Sequence, residues 1–545
     1  MSLGELIRGW RAPALLLALC ALLFLPGLAS LPPTDRDEAR FAQATRQMLE
    51  TRDFLRIRFQ DEARNKKPAG IHWLQAASVA LFSDPESPEI WPYRLPSALG
   101  ALAAVLLTFA FGRAWVGRET AFLGAALLAS SLGLTVEAHL AKTDAVLLAA
   151  AVAAQGALGE IYRRSREDTA SSWTWPLLFW CAHGLALLIK GPISLLASGL
   201  TACALGFYER QWRWLLGLRL FWGVPLMLLI AGPWFLAIVF ATDGAFVTEA
   251  GGGDLLGKLL HGQESHGAPP GAYLALAFVS FWPGSIALGM AARRAWRERK
   301  NDMTRFLIAW IVPFWIVMEA VPTKLPHYVL PTYPALALLA ARALLQGGVA
   351  ERWHWLEGLG VAFWGIATVA LAGGMIAVPS YLLGETMPAA VLAAAAVLLL
   401  SAQFLKSLQR RESRPLYGIA AAVALSGIGF GAVLPALDPI WLSRSVAALI
   451  AREQLQGHPV LAAGYSEPSL VFMLGTPTKL TTADGAARLL AKIPNALALV
   501  SDRETAAFHA SLENAGISVS TVGEVSGINY SNARRVTLTL YRSAP

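Results

Sequence analysis

Apolar runs of similar length, broken by short charged connections, set the rhythm of residues 1–438. Each run approaches the ~20 residues that a helix needs to cross hydrocarbon. The pattern predicts about thirteen helical spans, at 12–28, 95–112, 120–136, 145–162, 173–189, 192–208, 221–241, 273–292, 306–321, 328–344, 356–378, 389–404 and 417–434. The first outer connection, 30–94, is long, and within it 38–48 carries Ala42, Thr45 and Met48 at helical spacing. That spacing predicts a short amphipathic helix lying along the membrane interface. From Pro439 onward the rhythm changes, as short apolar runs such as Val460-Leu461-Ala462 alternate with Gly, Pro and polar stretches. This predicts a small α/β domain over 439–545, with helices at 482–493 and 504–515 and a closing strand at 535–541. The expected fold class is an all-α polytopic membrane protein with interfacial helices in its first outer loop and a small carboxy-terminal α/β domain.

Composition supports a membrane protein. Hydrophobic residues make up 55% of the chain and charged residues 15%, against roughly a quarter charged in soluble domains. The net charge of +8 has a topological explanation, because Arg8/Arg11, Arg113/Arg118, Arg163/Arg164/Arg166, Arg210/Arg213/Arg219 and the later clusters fall on every second connection. Short cytoplasmic loops carry that excess, so no nucleic-acid partner is implied. The amino terminus is then inside, and the first outer loop, the turn before Asp144, the loop around His266, the turn at Lys324 and the carboxy-terminal tail lie outside. The first apolar run is long enough to span and is read as an anchor rather than a cleaved signal. Cys20, Cys181 and Cys203 all sit in apolar spans, which makes neither a disulfide framework nor a thiolate metal site.

Every strong candidate for chemistry falls on the outer side. Asp37 and Glu38 follow a Pro-Pro turn and serve equally as helix-capping carboxylates or as a reactive pair. Lys66 and Lys67 are adjacent cations, more comfortable near a phosphate or among lipid head groups. Thr143 and Asp144 open an apolar helix, and Lys190 closes one just before Gly191-Pro192; a lysine there snorkels to the interface or reaches a phosphate. Glu264 and His266 share a loop with His261, a spacing that permits a divalent metal without demanding one. Lys324, His327 and Tyr328 cluster at the head of the tenth span.

In order along the chain, Asp37-Glu38-Ala39-Arg40-Phe41, Lys67-Pro68, Lys142-Thr143-Asp144, Lys190-Gly191, His266-Gly267-Ala268-Pro269 and Lys324-Leu325-Pro326-His327-Tyr328 resemble the integral-membrane glycosyltransferases that use polyprenyl-phosphate sugars. The resemblance is greatest to bacterial lipid A aminoarabinose transferases and extends more distantly to protein O-mannosyltransferases. It implies a GT-C type fold in a bacterial inner membrane with a periplasmic active site, a polyprenyl-phosphate sugar donor, and lipid A or another envelope acceptor. Asp37 would orient or deprotonate the acceptor, with Glu38 and Asp144 completing the acidic set. Lys67, Lys190, Lys324 and Tyr328, together with Lys66, would hold the donor phosphate. Metal, if bound, would take His266 and Glu264. Two departures stand out. Lys66 occupies a position where aminoarabinose transferases tend to have an acidic residue, which argues against zinc, and Phe41 stands where tyrosine is frequent, which leaves the sugar open. A protein hydroxyl is the alternative acceptor. A lipid-linked sugar flippase is the reading from another class, disfavoured because transporters carry their polar groups at midplane whereas these gather at one mouth.

Overall fold

The computed structural model describes residues 3–34, 36–167, 172–250, 268–346, 354–410, 412 and 414–543. Each predicted span is occupied by helix, though not always by one unbroken helix. Among the described residues eight helices are long and apolar enough to cross a membrane alone, nine if the pair Arg118–Ser130 and Leu132–Ala138, bent by 61°, counts as one. Arg11–Phe24, Thr174–Lys190 and Ile193–Glu209 are shorter apolar helices. The stretch predicted at 273–292 is divided into Ala272–Ser280, a 3-10 turn at Gly284–Ala287 and Leu288–Arg297. Hydropathy registers the total apolar length of such a stretch and is blind to breaks in its hydrogen bonding.

Helix Asp144–Arg166 is the axle of the bundle. Of its most apolar stretch 83% is buried, against 22% for Leu220–Ala241 and for Trp355–Leu383. It packs between Trp91–Val116 and Thr174–Lys190, while the two exposed helices turn Leu, Phe and Val side chains outward, as lipid-facing helices should.

At the mouth where helix Asp144–Arg166 begins, the first outer loop folds into helices Asp37–Thr51 and Gly70–Phe82, joined through the two-residue strands β1 (Arg58–Phe59) and β2 (Glu62–Ala63). The carboxy-terminal segment forms a five-stranded mixed sheet of β3 (Val460–Ala463), β4 (Lys479–Thr481), β5 (Leu497–Ser501), β6 (Val519–Asn529) and β7 (Arg534–Ser543), in the order β4-β3-β5-β7-β6. Its β3/β4 and β3/β5 pairs are parallel, and β5/β7 and β6/β7 are antiparallel. All residues of β3 and β5 are buried, because apolar clusters cover both faces of the sheet.

This sheet layer sits on helix Asp37–Thr51. Phe472 is fully buried among Ala42, Val79, Ile90, Tyr93 and Ala141, with its ring edge-on to Tyr93 at 5.3 Å. Around it, Arg46 donates to the carbonyls of Phe472 (3.0 Å) and Glu86 (2.8 Å), and Gln43 donates to Thr476 (2.8 Å). The helix expected to float at the interface on one apolar face is therefore enclosed, with Gln43, Thr45, Arg46 and Gln47 all buried. Its polar face is covered by protein rather than water.

Candidate functional site

Asp37 is the first residue of helix Asp37–Thr51 and is exposed. A helix start is a favourable place for an acidic side chain. Glu38, one residue on, is 1% exposed and has both oxygens engaged. Arg94 meets it in a two-pronged pair at 2.8 and 3.0 Å. The Thr34 amide (2.8 Å), the Thr34 hydroxyl (2.9 Å) and the Ala141 amide (2.9 Å) also donate to it. Arg94 in turn donates to the carbonyls of Leu28, Leu31 and Pro32. Burial alone would raise the Glu38 carboxyl, but Arg94 and the two amides hold it below the ordinary glutamate range. Glu38 is thus placed as a brace: it fixes the start of the Asp37 helix against the turn at 139–143 and the end of the first span.

That turn carries Lys142. Its ammonium donates to Glu137 at 3.3 Å. Burial would lower its pKa, yet the fields of Glu137, Asp144 and Asp37 hold it above the ordinary lysine range. Asp144, 6% exposed, opens the axle helix and pairs with Lys190. The Lys190 ammonium also lies 5.6 Å from the centre of the Tyr328 ring. His327 stands between the two buried carboxylates, 3.4 Å from Glu137 and 3.7 Å from Asp144.

Lys66 and Lys67 lie just before the second interfacial helix. Lys66 is exposed, Lys67 is half-buried, and Pro68 leads into helix Gly70–Phe82. A Cβ on Gly70 would lie 2.6 Å from the Leu188 carbonyl oxygen, so only glycine lets this helix abut the end of Thr174–Lys190. Two lysine-bearing helix ends meet as a result. Behind them a buried network ties the two interfacial helices together: the Thr45 hydroxyl reaches Gln75 Oε1 (2.6 Å) and His72 Nδ1 (2.8 Å), and Gln75 donates to the Ala141 carbonyl (3.1 Å). Burial, helped by Arg64, lowers the His72 pKa to about 3, which keeps that imidazole neutral.

Of the residues singled out from sequence, Glu38 reaches the Ala141 amide with Asp37 beside it, while Asp144 pairs with Lys190 and His327, and Lys190 with Tyr328. Lys324 is placed differently. It is 8% exposed, and its ammonium donates to the carbonyls of Glu319 and Val321, both at 2.8 Å, closing the end of helix Asp302–Ala320. Glu264 and His266 lie outside the described residues. Glu137 and Arg94 were not singled out, although an acid ending an apolar run, in Thr135-Val136-Glu137-Ala138, is a sequence signal for a partnered charge. Glu137, Asp144 and His327 offer ligand atoms within 4.8 Å of one another. Each carboxylate there already holds a lysine, so ion pairing accounts for the cluster without a metal.

A family model described as dolichyl-phosphate-mannose-protein mannosyltransferase matches residues 39–244. The chain is 30% identical over 369 residues to the undecaprenyl phosphate-alpha-4-amino-4-deoxy-L-arabinose arabinosyl transferase of Pseudomonas aeruginosa (strain LESB58), covering 64% of this chain and 65% of that one. It is 26% identical over 388 residues to the protein of the same name from Aeromonas salmonicida (strain A449), covering 68% and 66%. The match therefore spans just under two thirds of the length of these relatives. Among solved structures, ArnT from Cupriavidus metallidurans bound to undecaprenyl phosphate superposes with a TM-score of 0.75 at 19% identity, covering 96% of this chain and 97% of that one. The same protein in its apo state gives 0.71 at 20% identity. The fold is that of ArnT, the GT-C type that the sequence resemblance implied.

Proposed function

We propose that this chain is an integral-membrane glycosyltransferase that moves a sugar from a polyprenyl phosphate, undecaprenyl phosphate in a bacterial membrane, to lipid A or another envelope acceptor on the periplasmic side. The observation that carries this reading is the arrangement at one mouth: an exposed Asp37 next to Glu38, which accepts from the Ala141 amide beside Lys142, and a buried Asp144 grouped with the half-buried Lys190, His327 and Tyr328.

The chemistry is a single displacement with inversion. The acceptor oxygen attacks the sugar's anomeric carbon while Asp37 orients it and takes its proton. The bond from that carbon to the carrier phosphate breaks, and its electron pair leaves on the phosphate oxygen. That anion is stable, so no general acid is needed; cations must instead neutralise charge developing on the leaving group. Lys190, with Lys67 arriving beside it, supplies them, and Tyr328 lines the same place. Asp144 holds Lys190 in position, and Glu137 does the same for Lys142. Positioning two reactants in one geometry provides the rest of the acceleration. One exposed carboxylate suffices, unlike the paired carboxylates of glycoside hydrolysis.

A second reading keeps the donor and sends the sugar to a protein hydroxyl. The family model that matches residues 39–244 favours it, and the named relatives favour a lipid acceptor. Mass spectrometry of envelope glycolipids and of membrane glycoproteins, with and without the protein, separates the two. A sugar-sized mass increment on lipid A supports the first reading, and one confined to peptides supports the second. No increment on either, with polyprenyl-phosphate sugar supplied, overturns both.

A further inference from the structure

We propose that the end of the bundle opposite Asp37 carries a binding site for the phosphate of an anionic phospholipid headgroup. Helix Asp144–Arg166 has 23 residues and so runs about 35 Å, placing Arg164 at the far membrane surface from the mouth. There, a cavity of ≈ 410 Å³ opens between the end of this helix, the start of Thr174–Lys190 and the 3-10 helix Arg213–Leu218. Arg164, from the end of the axle helix, and Arg213 and Arg219, from the 3-10 helix and its cap, line it together with Trp175 and Trp214.

Two features separate this cavity from the general positive excess of inside loops. The first is donor capacity. The indole N–H groups of Trp175 and Trp214 are buried and have no hydrogen-bond partner among the described residues, an arrangement that folded proteins avoid unless something accepts from them. Trp214 as a whole is only 8% exposed. Arg164 lies 3.9 Å from Glu160 and is partly neutralised, whereas Arg213 is exposed and forms no ion pair among the described residues. Arginines lining a cavity beside two buried indole N–H groups that have no partner among the described residues suit a phosphate, which accepts only.

The second feature is depth. Trp173, Trp212 and Trp222 next to the cavity are 48%, 43% and 63% exposed, and Phe221 is 81% exposed. Aromatic rings with polar edges collect at the level of lipid head groups, and basic pockets between helices on the cytoplasmic side bind such head groups. Arg219 stacks on Trp173 at 3.6 Å, which holds a cation at that level. The phosphate available there belongs to the membrane itself.

Native mass spectrometry of the full-length protein, titrated in detergent with phosphatidylglycerol, phosphatidylcholine or inorganic phosphate, tests the site. Phosphatidylglycerol should be retained in preference to phosphatidylcholine. Arg213→Ala and Trp214→Phe, which removes one N–H while keeping an aromatic ring, should each weaken that retention about tenfold, the scale of one lost charge-assisted contact. Arg213 is exposed, so its variant folds irrespective of the outcome. Equal retention of the two lipids, unchanged phosphatidylglycerol binding in both variants, or displacement of the lipid by inorganic phosphate alone would each overturn the proposal.

Discussion

Asp37 and Glu38 are neighbours in sequence with opposite environments, one exposed at a helix start and the other enclosed by Arg94, Thr34 and Ala141. The proposed mechanism gives the chemistry to the exposed one. Asp37→Asn keeps shape and removes the base, so sugar transfer from polyprenyl-phosphate donor in purified membranes should fall at least about a hundredfold, with the melting transition unchanged. Transfer at the wild-type rate would remove Asp37 from the mechanism. Glu38 should behave in the other way. Replacing it with Gln leaves Arg94 buried without its counter-charge, and losing one partner of a buried pair costs about 3–5 kcal/mol. The expected result is a lower melting temperature of the solubilised protein. The sign of the pH dependence follows from the depressed carboxyl: its stabilisation is complete above the ordinary value of 4.5 and is lost as pH falls below it. The gap between wild type and Glu38→Gln should therefore narrow in acid, and a gap that widens there would contradict the brace.

Helices position these side chains through contacts that leave little room. Gly70 lets helix Gly70–Phe82 touch the end of Thr174–Lys190, and a Cβ there would meet the Leu188 carbonyl at 2.6 Å. Because that oxygen belongs to backbone, the helices must separate to accept Ala. Gly70→Ala should then raise the donor KM more than the acceptor KM, since it moves Lys67 directly relative to Lys190 and reaches Asp37 only through the Thr45–Gln75 network; a proportional change in both would point to general unfolding. The same two interfacial helices share the neutral His72. With its pKa lowered from 6.5 to about 3, the unfolded chain binds the extra proton between those values, so this network weakens as pH falls through that window. His72→Asn should flatten the acid side of the stability profile between pH 6.5 and 3, read by thermal melts across that range.

On the scale of the whole molecule, the carboxy-terminal sheet layer and the membrane bundle meet at the helix that begins with Asp37. Phe472 fills the seam, and truncating such a buried ring costs about 3–5 kcal/mol. Phe472→Ala should loosen the layer, seen as faster proteolytic cleavage in the connection at 437–441 together with reduced transfer, although the residue lies outside the reactive cluster. Unaltered cleavage and transfer would show that the layer is dispensable for shaping the mouth. Much of this architecture was legible in one dimension. Apolar runs near bilayer length announce helices in hydrocarbon wherever they occur, and the loss of long runs after Pro439 marks the change to a sheet. These features are local, because the solvent acts on each stretch separately. The ordered motifs also marked Asp37, Asp144, Lys190 and Tyr328 as belonging to one mouth. What needed three dimensions was pairing. Glu38 meets Arg94 from 56 residues away, Glu137 and Asp144 flank a histidine from the tenth span, and Lys324 turns to backbone carbonyls of its own neighbourhood. A charge read alone in the sequence carries no partner, and whether it braces, binds or reacts is decided by which opposite charge and how much water the fold leaves beside it.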